Sequence, residues 1–370
     1  MKYKRFLVLD SFRGLCALSV ALFHMHISGG FSEIDFFRGS AILVDFFFVL
    51  SGFVLTHRYG VNICNSFGDF FVSRFARVYP LHLFTFFLFF MMELFKVIAT
   101  KYGFSFNNEP FSGVNSLDNI IPNLLLLQSW LEVFPHESFN YPSWSISVEF
   151  YLYLIFFFTL QMTIKLRLLT WFLLPFLSFI IYDISIIPNE ALRGIIGFFV
   201  GALTYKVFTC SQNLILKPMT TNVLEAFLLI TLFYVVSNHF IYRELISYLL
   251  FAMIVLIFSK EKGLISNVLR NKLFVKLGSL SFSVYMLHAF ILQTSSFAIS
   301  VVEKLSGENL SVYYNGIKYL DLGGVITNNV FIIFLVCIIL FMSVLSNKYI
   351  EILGRDKILS FKNVFYRIIR

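Results

Sequence analysis

Asp10–His24 reads DSFRGLCALSVALFH, which sets an aspartate, an arginine and a histidine inside an otherwise apolar helical run. An ionisable side chain within a membrane span is costly and marks a functional position by default. Arg13 and His24 are eleven residues apart. At 100° and 1.5 Å per residue that is about three turns, so both lie on one stripe, roughly 16 Å apart along the axis. The stripe offers a permanent cation near one end of the helix and a titratable base near the other, with Asp10 beside the cation.

The surrounding composition is that of an integral membrane protein. The 370 residues are 58% hydrophobic and 14% charged, with a mean hydropathy of +0.80. Soluble domains are roughly half apolar and a quarter charged. The 49 Phe and 18 Tyr suit lipid-facing and interfacial surfaces. The net charge of +8 is spread over short loops, so it does not indicate nucleic acid as a partner. The opening MKYKRFLVLD is basic and then apolar, as in a signal peptide, but Asp10 and Arg13 interrupt the apolar region and favour a retained first span. Cys16, Cys64, Cys210 and Cys337 show no metal-ligand spacing and are expected to be free thiols.

Runs of about 20 apolar residues mark ten spans: 6–28, 38–57, 79–100, 144–161, 168–186, 191–209, 222–239, 243–259, 276–300 and 325–349. The expected fold is therefore all-α and polytopic. The segment 118–134 is apolar but short and contains Pro122, which suggests a re-entrant or interfacial helix. Placing both termini in the cytoplasm puts 21 of the 29 basic residues inside, Lys2, Lys4, Arg5, Arg58, Arg74 and Arg77 among them. The tail from 351 alternates basic and apolar residues and is expected to lie on an anionic inner leaflet as an amphipathic helix.

Four further stretches carry polar residues that an apolar span does not need. VDFFFVLSGF holds Asp45, which either caps and packs its helix or partners Arg13 or a substrate hydroxyl. RFARVYP holds Arg74 and Arg77, three residues apart on one helical turn, with Pro80 read as opening the third span. Two arginines there could be ordinary cytoplasmic anchors, but their packing into one turn favours a phosphate clamp. SWSISVEFY places Glu149 about one and a half turns into the fourth span, at a depth matching that of His24, where a carboxylate could orient the imidazole. LGSLSFSVYMLH carries Tyr285 and His288 on one face, either as packing residues or in support of the site.

Together these five stretches resemble, in order, the motifs of the acyltransferase-3 family of bacterial membrane proteins, which O-acylate cell-surface carbohydrates. The resemblance runs from about residue 5 to 350. One departure is Leu353 in YIEIL, where the family often has proline after its Tyr (Tyr349) and Glu (Glu351); it is expected to affect the end of the last helix and not the chemistry. Many relatives carry a C-terminal periplasmic hydrolase-like domain, and none is expected here. The resemblance implies transfer of an acyl group, most often acetyl, from acyl-CoA as donor substrate, with no permanently bound cofactor or metal. It implies a carbohydrate or lipid-linked glycan acceptor, contact with membrane lipid, and a bacterial plasma-membrane location. In that scheme Arg74 and Arg77 hold the donor's phosphates, Arg13 guides the arm or polarises the thioester, His24 deprotonates the sugar hydroxyl or relays the acyl group, and Glu149 orients His24. Asp10, Asp45, Tyr285 and His288 are supporting candidates. Two alternatives remain open from sequence: a transporter or flippase of a glycan intermediate using the same ionisable groups as a proton relay, and an O-acyltransferase for a small lipophilic acceptor.

Overall fold

The computed structural model describes residues 5–60, 66–104, 106, 108–182, 187–214 and 216–369, with side chains to 362. Lys2, Lys4, Cys64, the end of the predicted fifth span and the side chains of Arg367 and Arg370 lie outside this set. The long helices are α1 (Leu7–Phe23), α2 (Leu43–Tyr59), α3 (Phe67–Lys101), α4 (Ser143–Leu160), α5 (Ile164–Ile180), α6 (Asn189–Cys210), α7 (Pro218–Ser237), α8 (Arg243–Phe258), α9 (Lys272–Ser306), α10 (Val325–Ser346) and α11 (Leu353–Ile369). Strands β1 (Ser311–Tyr314) and β2 (Ile317–Leu320) form an antiparallel hairpin.

Each of the ten predicted spans coincides with a helix, α1 to α10. Among the described residues, seven stretches are long and apolar enough to cross a membrane. The other three, α1, α5 and α8, have 17, 17 and 16 residues. At 1.5 Å per residue they reach about 25 Å, just short of a ~30 Å hydrocarbon core.

Three local expectations are corrected. Helix α3 begins at Phe67, so Pro80 lies inside it and does not open a span. Gly354 packs against the Pro80 ring, so close that a Cβ on it would stand 2.7 Å from Pro80 Cβ. The segment 118–134 holds only a short helix, Ile120–Leu124. Beyond it Leu126 takes the left-handed conformation (φ 58°), and polar side chains of its neighbours satisfy the irregular backbone. The hairpin adds strand to a chain read as all-helical; its turn is Asn315-Gly316, both at positive φ, the sequence signal of a two-residue hairpin.

The chain divides into two compact units, residues 1–56 with 200–344, and residues 57–199 with 345–370. The first unit is organised by α1 against α9. A Cβ on Gly14 would fall 2.6 Å from Gly278 N, and one on Gly278 only 2.1 Å from the Asp10 carbonyl oxygen. The two backbones are therefore in direct contact, which only glycine permits. Phe12 adds an aromatic wedge, 5.9 Å from Phe46 of α2 and 4.8 Å from Phe258 of α8. At the start of α1 the Val8 N–H donates to Glu261 Oε1 (3.1 Å), and Ser11 Oγ donates to the Leu269 carbonyl (2.6 Å). The Glu261 carboxylate thus answers the positive end of the helix dipole.

In the second unit a polar network ties the 120–140 segment to α3 and α4. His82 Nε2 donates to the Asn123 carbonyl (2.9 Å), Ser147 Oγ to the Leu126 carbonyl (2.6 Å), and Trp130 Nε1 to the Ser147 carbonyl (3.1 Å). Gln128 Nε2 donates to Ser143 Oγ (3.2 Å). The serines of SWSISVEF therefore hold non-helical backbone, which is tolerated in an apolar environment only when protein groups satisfy it. Helix α11 follows α10 through a π-helical turn, Asn347–Ile352, and packs on α3, where Lys362 pairs with Asp69. With Leu353 in place of proline, the helix runs on to Ile369.

The glycine crossing is open to direct test. Gly278→Val should force α1 and α9 apart, an overpacking cost of about 1–3 kcal/mol. A thermal-unfolding midpoint lowered by several degrees in detergent is the expected result; an unchanged midpoint would contradict the contact.

Candidate active site

His24 closes α1 as its C-cap residue and is half-buried. Its ring stacks on His288 of α9, with centroids 5.3 Å apart and planes at 26°. The spacing explains the meeting. His24 lies ten residues beyond Gly14, and His288 ten residues beyond Gly278. Two helices that touch at the glycines and meet again at the histidines must run parallel; an antiparallel pair would carry the rings roughly 30 Å apart.

His288 is fully buried, and its Nδ1 lies 3.2 Å from the Val284 carbonyl. A carbonyl only accepts, so Nδ1 carries the proton and Nε2 presents its lone pair. Tyr285 is 5.8 Å from His288 and 5.9 Å from Phe47 of α2, ring to ring. The accessible imidazole is thus His24, backed by a buried imidazole and a tyrosine. At the other end of α1, Asp10 accepts from Arg5 Nε (2.5 Å) and stands 3.8 Å from Arg13 Nη1. Asp45 is buried in the first turn of α2, beside the Phe46 that packs on Phe12.

The sequence reading overlooked the group that surrounds the end of α1. Arg38 ends a one-turn helix, Asp35–Arg38, and its guanidinium reaches back to the Leu22 and Met25 carbonyls and to His26. Glu33 lies 3.5 Å from Arg38, and Tyr319 of β2 hydrogen-bonds in the same cluster. Burial raises the Glu33 carboxyl above its ordinary range, opposed by Arg38 and Tyr319. A signal for Arg38 was present: it is a basic residue at the edge of a loop expected to be outer, where the charge bias leaves few.

The remaining sequence candidates belong to the second unit. Glu149 is half-buried, the seventh residue of α4. Arg74 and Arg77 share a turn of α3 but meet different partners. The Arg74 guanidinium carbon sits 5.6 Å from the Tyr59 ring centroid and 5.7 Å from that of Tyr153. Its Nη2 donates to Tyr59 Oη (3.4 Å) and Ser73 Oγ (3.2 Å), and its buried Nε meets no acceptor among the described residues. Arg77 Nη1 stands 4.0 Å from Oε2 of buried Glu351, in the π-helical turn.

Comparison with known proteins gives the family. The chain is 40% identical over 134 residues to "Acyltransferase MdmB" of Streptomyces mycarofaciens, covering 35% of this chain and 32% of that protein. It is 41% identical over 83 residues to "Protein 2 in picA locus" of Rhizobium radiobacter, covering 22% of this chain and 41% of that one. The chain thus spans well under half the length of these curated relatives. No solved structure gives a significant match. The acyltransferase-3 profile, described as an acyltransferase domain, matches residues 6–348, from the start of α1 through α10. The chain therefore belongs to the acyltransferase-3 family.

Proposed function

We propose that this protein is a multi-pass O-acyltransferase of the bacterial plasma membrane. It moves an acyl group, acetyl foremost, from acyl-CoA on the cytoplasmic side to a hydroxyl of a cell-surface carbohydrate, polymeric or lipid-linked. The observation that carries the reading is the helix that holds Arg13 near one end and an accessible His24, stacked on His288, at the other. Family membership supports the reaction class.

In this reading all ten helices α1 to α10 cross the membrane and both termini are cytoplasmic. The parallel course of α1 and α9, the first and ninth spans, agrees with that parity. Arg74 and Arg77 then face the cytoplasmic side and hold the donor's phosphates. Arg74 supports this, because its aromatic cradle fixes the guanidinium without pairing it to a carboxylate. Arg13, about three turns before His24, guides the donor's arm along the helix. His24 takes the proton of the acceptor hydroxyl as its oxygen attacks the thioester carbonyl. The carbon–sulfur bond breaks, the coenzyme A thiolate leaves and is protonated, and the ester remains on the sugar. Glu149 orients His24, His288 and Tyr285 support it, and Asp10 and Asp45 set the polar surroundings of Arg13.

The test uses sealed vesicles with labelled acetyl-CoA on one side and crude surface glycan on the other. Base-labile label on the glycan is the expected product, and glycan movement without acetyl-CoA would instead favour a transporter. His24→Ala should lower kcat by about 10²–10⁴-fold, the usual worth of a general base, while acyl-CoA still binds. Undiminished kcat would remove His24 from the mechanism.

The donor clamp makes a separate prediction. Arg74→Ala with Arg77→Ala should raise the KM for acyl-CoA with little change in kcat, the signature of lost uniform binding. Unaltered donor affinity in the double variant, measured by direct binding, would refute the clamp.

A further inference from the structure

Arg38 has no part in the transfer steps above, yet it grips the chain on both sides of the residue at their centre. Its Nη2 donates to the carbonyls of Leu22 (2.8 Å) and Met25 (3.3 Å), and its Nη1 to His26 Nδ1 (3.0 Å). Its guanidinium carbon stands 5.5 Å from the Phe23 ring centroid. Residues 22, 23, 25 and 26 are the two neighbours of His24 on each side. Nε completes the set by donating to the Ser32 carbonyl (3.0 Å). All three nitrogens are therefore engaged by the protein, which sets Arg38 apart from a substrate-binding cation.

The physical need is clear from the end of α1. The last carbonyls of a helix have no intrahelical partner, and His24 projects from that last turn. A reacting base must be held within about 0.5 Å and 10–20° of its productive geometry. Arg38 clamps this turn from one side and the hairpin holds it from the other. Leu320 of β2 donates its N–H to the His26 carbonyl (3.0 Å) and accepts from Ser28 N–H (2.9 Å). Tyr319 lays its ring edge-on to His26 at 5.1 Å.

We propose that Arg38 is the positioning residue for His24, locking the end of α1 so that the imidazole points at the acceptor hydroxyl. The proposal rests on the reading of His24 as the base. It must be told apart from a purely structural cap, because Arg243 grips the end of α7 in a similar way. Arg243 Nε donates to the Val235 carbonyl (2.9 Å), Nη2 to those of Val236 (2.7 Å) and Gly39 (3.1 Å), and Nη1 to His239 Nδ1 (3.1 Å). No proposed catalytic group stands on that helix end, which makes Arg243→Lys the control.

The experiment compares Arg38→Lys, Arg38→Ala, Arg243→Lys and His24→Ala in the vesicle assay, with kcat and KM measured at equal amounts of folded protein. Lysine keeps the charge but cannot reach four acceptors at once. Both Arg38 variants should lose about 10²-fold in kcat, the scale of a misplaced catalytic group, with both KM values little changed. Added guanidinium should restore kcat in Arg38→Ala, and sodium at equal ionic strength should not. Amide exchange at Met25, whose N–H bonds the Leu22 carbonyl that Arg38 also holds, should quicken in both Arg38 variants, a readout that needs no turnover. Arg243→Lys should keep its kcat. Wild-type kcat in Arg38→Ala, or an equal loss in Arg243→Lys, would overturn the proposal. Should His24→Ala keep its activity, the base reading itself fails; should it be inactive while Arg38→Lys is normal, the positioning role alone fails.

Discussion

The contact between the Gly14 and Gly278 backbones is the constraint from which the histidine site follows. Neither position has room for a single extra carbon. Contact this close leaves the helices no freedom to slide, because sliding would bring a side chain into the crossing. With register and direction set there, His24 and His288, each ten residues further on, have to meet. An Arg-Gly pair on one helix and a glycine ten residues before a histidine on the other form a single device. The glycines do the spacing and the polar residues occupy the positions so defined.

A second constraint acts wherever a helix stops in apolar surroundings. Terminal carbonyls then cannot count on water, and leaving a buried acceptor unpaired costs about 1–3 kcal/mol. Among the described residues arginine answers it at three helix ends. Arg38 serves α1, Arg243 serves α7, and Arg167 serves α4 through the Leu160 (2.6 Å) and Met162 (3.1 Å) carbonyls. The planar fork can span carbonyls that diverge from a helix end, where an ammonium would reach one or two. Serine and asparagine do the same for the 120–140 segment. Much of the polarity that stands out in this chain is therefore backbone satisfaction, and the residues left for chemistry are those that serve no helix end.

How much of this could be read from sequence follows from the range of each interaction. The positions of helices α1 to α10 were legible because a long apolar run is a local property of about 20 residues. The shared face of Arg13 and His24 was legible because helical geometry is local too. The grip of Arg38 on the end of α1 was not, since its acceptors there lie 12–16 residues back across a turn whose path no periodicity reveals. His288 was noticed but could not be matched to His24, because the match depends on a crossing between residues far apart in the chain. Pro80 misled for a related reason. Proline usually marks a helix start, but the packing of Gly354 against its ring accommodates it within α3.

Under the proposed donor clamp, the two arginines of α3 illustrate why a cation that receives an anion should not be paired too well. A buried bidentate carboxylate would fix Arg74 but cancel the charge that a phosphate needs. Two tyrosine faces fix it without cancelling it, at a stabilisation of about 0.5–2 kcal/mol. Arg77 faces buried Glu351, but at 4.0 Å and with its own side chain 38% exposed, so under the proposed clamp a phosphate would compete with that carboxylate for the guanidinium. Glu351 would then hold Arg77 extended between turnovers and yield it on binding. The π-helical turn serves the same end, since the irregular turn is where the helix carries that carboxylate toward α3.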